Sequence, residues 1–114
     1  MNFKELVVWQ KSMELVNEIY SLVKKFPKSE IYGLTSQMQR SAVAIPSNIA
    51  EGHRRNHKLE YVQFLGIALG SAAELETQVL IAKVQYPESN YDKAMSLLNE
   101  VQSMLYVLIQ KLKH

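Results

Sequence analysis

The sequence contains no cysteine, which excludes a disulfide framework and any thiolate metal site and fits a reducing cytoplasm. Glycine and proline are sparse, four and three residues in 114, too few for the many turns of an all-β fold. An excess of one charge is missing too. Thirteen Lys and Arg against 11 Asp and Glu leave +2, so the sum neither demands nor excludes a nucleic-acid partner, and the placement of charge matters more. The longest uncharged stretch, Tyr61 to Ala73, falls well short of the ~20 residues of a membrane-spanning helix. Met1-Asn2-Phe3-Lys4-Glu5 has no basic-then-apolar signal pattern. No Gly-rich phosphate loop and no Cys–His pair is present.

What the chain does have is 47% hydrophobic residues, enough for one core in a single domain over residues 1–114, and helical periodicity almost throughout. The first helix is expected over about residues 3–26, with Leu6, Trp9, Met13, Val16, Tyr20 and Val23 on one stripe. Asn2 and Glu5 supply a capping-box pair, and Pro27 stops the helix. The second helix covers about residues 34–51, its apolar side marked by Leu34, Met38, Ala42, Ile45 and Ile49. Pro46 inside it predicts a kink, and Gly52 a C-terminal cap of positive φ. In the third, about residues 58–84, Tyr61, Leu65, Ala68, Ala72, Leu75, Val79 and Ala82 keep a heptad rhythm. Gly66, Gly70, Ser71, Ala72 and Ala73 make its middle slender, which predicts close approach of a neighbouring helix. The fourth covers about residues 90–112 with Ser89 as N-cap, and Ala94, Leu98, Val101, Leu105, Leu108 and Leu112 form its stripe. Short breaks make neighbours antiparallel, so the expected fold is all-α, an up-down-up-down four-helix bundle with a kinked second helix.

Further apolar residues exceed one stripe: Val8, Leu15, Ile19, Leu22 and Phe26 on the first helix, and Met95, Leu97, Met104, Val107 and Ile109 on the fourth. Self-association would cover such a surplus; a thick core would absorb it.

Two polar groups stand out. Gln37, Arg40, Asn48 and Glu51 on the second helix, in a polar group that also holds Ser41 and Ser47, could form an Arg–carboxylate network with Glu74 and Glu76 on the third. Arg40 and Glu51 are eleven residues apart, close to three turns and so on one face. A network fixing packing and register is one reading; Glu51 and Glu74 as an acid/base pair is the other. The second group is His53, Arg54, Arg55, His57 and Lys58. The up-down-up-down arrangement brings Lys4, Lys111 and Lys113 to the same end, a basic rim suited to phosphate backbones; the plain alternative is solvated loops and helix ends. His53 and His57 have a spacing that can chelate a metal on a helix, but the charges around them oppose it. An Arg followed four to six residues later by His, as in RNA-cleaving HEPN domains, is absent. Trp9 and the six tyrosines do not interleave with the basic residues, which leaves base stacking unsupported.

Several runs taken together carry a family resemblance. They are Leu6-Val7-Val8-Trp9-Gln10-Lys11; Phe26-Pro27, Glu30 and Tyr32-Gly33-Leu34-Thr35-Ser36-Gln37; Arg40 with Ile45-Pro46-Ser47-Asn48-Ile49-Ala50-Glu51-Gly52; and Ala68-Leu69-Gly70-Ser71 with Glu74-Leu75-Glu76-Thr77-Gln78. Over almost its whole length the chain resembles the bacterial four-helix-bundle proteins encoded in intervening sequences of 23S ribosomal RNA genes. It is similar, more distantly, to the accessory variability determinant proteins of diversity-generating retroelements, which are strongly basic where this chain carries only +2. The resemblance implies a homopentamer with an RNA- or ribosome-associated role. The expectation is therefore a non-enzymatic, cytoplasmic homo-oligomer without cofactor, metal or membrane partner, which binds ribosomal or other RNA through its basic end. A scaffold that presents a surface to another protein is the alternative.

Overall fold

The computed structural model describes residues 1–114 and contains four helices and no strand: α1 (Val7–Val23), α2 (Leu34–Arg54), α3 (Lys58–Gln85) and α4 (Asp92–Lys113). Each packs on the next, and α4 closes the ring against α1, as a four-helix bundle requires. The long dimension, 44 Å, is set by α3, whose 28 residues rise about 42 Å at 1.5 Å each. Twenty-two apolar side chains form one buried cluster along this axis.

The stripes expected on α2, α3 and α4 are those that face the core. Met38, Ala42, Ile45 and Ile49, then Leu65, Ala68, Ala72, Leu75, Val79 and Ala82, then Ala94, Leu98, Val101 and Leu105 are all fully buried. Leu34, Tyr61, Leu108 and Leu112 pack half-buried at the ends. Pro46 is buried within the run of α2.

On α1 the expected face is wrong by one residue. The buried side is Val8, Ser12, Leu15, Ile19 and Leu22, joined by Val23, whereas Met13 and Tyr20 remain 37% and 40% exposed. Both stripes have the same rhythm, and a shift of one residue turns the helix by about 100°. Ser12 conceals the true phase because it looks polar. Its hydroxyl donates to the Trp9 carbonyl at 2.7 Å, so burial leaves nothing unsatisfied. The tyrosine hydroxyl and the indole N–H, by contrast, favour a position near water. Much of the surplus assigned to α1 is thus core, and Leu97 of α4 is core as well.

Helix ends differ from expectation for local reasons. Asn2 and Glu5 do form a capping box, but it closes a 3₁₀ turn, Phe3–Glu5, before Leu6 runs extended into α1. The last turn of α1 tightens to bonds from Lys25 and Phe26 back to Leu22 and Val23, so the helix ends ahead of Pro27. Ser89 is not the cap of α4. The Asn90 side chain accepts the Asp92 N–H at 2.9 Å, and Tyr91, buried beneath it, donates its hydroxyl to the Tyr86 carbonyl at 2.9 Å. The α1–α2 and α3–α4 connections are tied together by Tyr86, whose ring lies 5.1 Å from that of Phe26 and whose hydroxyl donates to Glu30 Oε2. Glu30 Oε1 accepts the Leu34 N–H, capping α2.

Both glycine expectations are corrected. Gly52 is no cap: α2 continues past it to Arg54, and no glycine has positive φ. It is buried under α3, where a Cβ would lie 2.7 Å from Phe64 Cβ and 3.1 Å from Tyr61 Cδ1. Gly66 and Gly70 are the reverse, since a Cβ at either would meet nothing within 4 Å. They belong to an outer face of α3 that also exposes Ile67, Leu80, Ile81 and Val84. α3 is therefore apolar on its outer side as well as on the side that faces the core.

Gly52→Ala is expected to destabilise the fold by about 1–3 kcal/mol through overpacking against Phe64. Gly70→Ala should be neutral or stabilising by up to about 1 kcal/mol from helix propensity. Urea unfolding of the two variants checks the contrast. Glu30 is held below its ordinary value of 4.5, chiefly by the Tyr86 hydroxyl and then by the Leu34 N–H. A depressed folded-state value stabilises above the unfolded one and is lost as pH falls through the folded one. Thermal melts from about pH 7 to about pH 3 should therefore show a smaller acid loss for Tyr86→Phe than for the parent; parallel curves would count against the tie.

Candidate functional site

The basic end is built where α2 runs out. Its last residue, Arg54, lays its guanidinium over the Phe3 ring, 5.4 Å from the centroid, and Phe3 in turn meets Trp9 edge-on at 5.5 Å. The 3₁₀ turn that carries Phe3 and Lys4 is therefore anchored on both α1 and α2. Arg55 lies over Phe64 at 5.1 Å, between Glu51 at 3.9 Å and Glu60 at 3.6 Å. Of the two arginines, only Arg54 has no carboxylate partner. Arginine on an aromatic face is the geometry of a cation–π contact. The sequence offers no signal for these pairings because each ring lies nine residues or more from its arginine, or on another element.

The remaining residues expected there are placed individually. His53 packs edge-to-face on Tyr61 at 5.7 Å and is half-buried, while His57 stands outside α2 as the N-cap of α3. The two histidines do not share a helix, so the chelating spacing does not apply. No group of three His, Cys, Asp or Glu residues comes together anywhere in the chain. Lys4, Lys58 and Lys113 are exposed. Lys111 borders a cleft of about 400 Å³ with Leu6, Val7, Val107 and Leu108, which sets it beside the segment following Lys4. His53 and Arg54 thus meet at Phe3, the neighbour of Lys4 in the chain; Arg55 is compensated by two carboxylates and His53 is half-buried. The rings beneath the arginines are those of Phe3 and Phe64, not of Trp9 or a tyrosine.

The polar network divides into three parts. Gln37, Arg40, Ser41, Ser71, Glu74 and Gln78 line a groove of about 360 Å³ between α2 and α3. Glu51 and Asn48 line another with Ser47, Phe3 and Arg54, where the Asn48 amide returns to the Ala44 carbonyl at 2.7 Å. Glu76 faces α4 and accepts from Gln102 Nε2 at 2.8 Å. Arg40 and Glu51 do not share a site, because eleven residues along a helix separate them by about 16 Å along its axis even on one face. Glu51 and Glu74 are likewise in different grooves. Gln78, along the sequence only the last residue of the run Glu74-Leu75-Glu76-Thr77-Gln78, has an Oε1 that is buried without a hydrogen-bond donor. An unsatisfied acceptor of this kind costs about 1–3 kcal/mol, and its only sequence signal is an amide one turn beyond Glu74.

Comparison with known proteins follows the same outline. The sequence profile described as 23S rRNA-intervening sequence protein matches residues 4–107. A crystal structure from Bacteroides thetaiotaomicron, of a protein with unknown function from the S23 ribosomal protein family, is similar at a TM-score of 0.80 and 24% identity, over 90% of this chain and 98% of that one. No curated protein matches the chain.

Replacing the orphaned amide by a side chain of similar length, Gln78→Met, should leave stability unchanged or raise it by about 1 kcal/mol, measured by urea unfolding. A clear loss would mean that the amide has a partner in solution.

Proposed function

The chain belongs to the 23S rRNA-intervening sequence protein family, and from that membership we propose a non-enzymatic, homo-oligomeric RNA-binding protein whose basic end contacts phosphates. The observation that carries the reading is Arg54: a guanidinium with no carboxylate partner, held on the Phe3 ring beside Lys4, with Lys58 exposed just beyond the turn. Phosphate contacts of this kind release counterions and make affinity fall steeply with salt. The family description, which names ribosomal RNA, favours that class of partner. Arg55 contributes less to this reading, since Glu51 and Glu60 already compensate it.

The proposal takes the bundle as antiparallel with α2 bent at Pro46, so that the ends of α2 and α4 lie together. It takes the assembly as a pentamer in the cytoplasm, as the resemblance to the intervening-sequence family implies. The apolar outer face of α3, with Ile67, Leu80, Ile81 and Val84 exposed, supports self-association, because a surface of that character is seldom left in water. The same face favours a second reading, an oligomeric scaffold that presents itself to another protein. Pull-down from nuclease-treated lysate separates the two, since only a protein partner survives the nuclease.

Binding of the nuclease-treated protein to ribosomal RNA fragments should fall steeply across a salt series. Arg54→Glu with Lys58→Glu should weaken it by at least about tenfold and flatten the salt slope, with helical content unchanged. Arg55→Glu should weaken it less. Absence of binding at low salt, or binding indifferent to salt, would overturn the RNA reading.

A further inference from the structure

The groove between α2 and α3 lies apart from the basic end and takes no part in the reading above. Its walls differ from an ordinary helix–helix seam. Ser41 and Ser71 are more than nine-tenths buried, at 8% and 7% exposure, and both line the groove. Their hydroxyls bond to nothing in the chain and stay open to the groove, since neither is among the buried unpaired polar atoms, whereas Ser12 and Thr77 return theirs to the Trp9 and Ala73 carbonyls. Gln78 adds a buried carbonyl oxygen with no donor. One cation and one anion, Arg40 and Glu74, complete the lining from opposite helices. Both residues are exposed, and neither enters any of the four ion pairs the chain makes, so the two do not pair with each other across the groove.

We propose that this groove binds a small zwitterion of the α-amino acid class, its carboxylate on Arg40 and its ammonium on Glu74 and Gln78 Oε1. A guanidinium matches a carboxylate with two parallel hydrogen bonds. An ammonium carries three donors, which suffice for the Glu74 carboxylate, the orphaned Gln78 oxygen and one serine oxygen; the second serine donates to the ligand carboxylate. A simple anion would place negative charge against Glu74 and leave the Gln78 acceptor unmet. A simple cation would oppose Arg40. The groove, about 360 Å³, has room for a single small molecule.

The test is a titration of the ¹⁵N-labelled full chain with the common free L-amino acids, each beside its carboxamide, which lacks the carboxylate, and its N-acetyl form, which lacks the ammonium. At least one amino acid should give saturable shifts at the amides of Ser41, Ser71 and Gln78. Both of its singly charged derivatives should bind about tenfold more weakly or worse, a difference of about 1.4 kcal/mol. Arg40→Ala and Glu74→Gln should each cost a similar factor with helical content unchanged. If Arg40→Ala fails to fold, Arg40→Lys, which keeps the charge and loses the fork, should show the loss. No saturable shift with any amino acid at millimolar concentration, equal binding of the derivatives, or shifts confined to other surfaces would overturn the proposal. RNA binding at the basic end can succeed or fail without bearing on any of these outcomes.

Discussion

The arrangement rests on how closely α2 is seated on α3. At Gly52 the missing side chain lets Tyr61 and Phe64 of α3 come against the α2 backbone, with no room for a Cβ between them. That contact carries α2 one turn further than a glycine C-cap would, to Arg54. Its consequences are immediate. Arg54 reaches the Phe3 ring, Arg55 lies on Phe64, and His53 rests on Tyr61. Farther along, small buried residues are interspersed among the large ones, Ser41 and Ala42 on α2 and Ala68, Ser71 and Ala72 on α3. Small residues let helices approach closely, but serines in that seam also bring hydroxyls into a region where polar groups need partners. The polar groove is the result.

At the other end of α2 the constraint is polar rather than steric. Glu30 closes the first turn of α2 through the Leu34 N–H and receives the Tyr86 hydroxyl, so one carboxylate joins the α1–α2 and α3–α4 connections. The tyrosine is pushed above its ordinary value, first by its hydrogen bond to Glu30 and then by burial. Tyr91, buried, returns its hydroxyl to the Tyr86 carbonyl. Both connections are therefore held by specific hydrogen bonds, and the four exposed ion pairs, each of a kind worth at most about 1 kcal/mol, have a minor part in the fold.

How far the sequence could be read depended on how each element announces its buried face. α3 keeps the row Leu65, Ala68, Ala72, Leu75 and Val79 unbroken, whereas Gly66, Gly70 and Ala73 interrupt the apolar outer face made by Ile67, Leu80, Ile81 and Val84. α2 has polar residues on nearly every other position of its outer side. α1 carries two apolar rows one residue apart, and the true one contains Ser12. Only the bond from that hydroxyl to the Trp9 carbonyl makes serine acceptable in the core, and such a bond leaves no periodic trace. The basic cluster was legible because five of its members fall within residues 53–58. Which of its arginines is free was not, because compensation of Arg55 depends on Glu60 across a helix break. The supposed six-residue network was a list of polar positions on two helices; rotation about each helix axis and distance along it sent Glu76 toward α4 and Glu51 toward Phe3.

The helices, their number and most of their core faces are legible along the chain, because periodicity and chain breaks are local properties carried by neighbouring residues. So are the place where basic charge accumulates and the family that the runs of residues resemble. The phase of α1, the role of Gly52, the outward turn of Gly66 and Gly70, and the pairing of Arg54 with Phe3 came from the packed structure alone. That packing also gathered Arg40, Ser41, Ser71, Glu74 and Gln78 into one groove. These depend on the rotation and register of one helix against another, and that is fixed by contacts between residues distant in the chain.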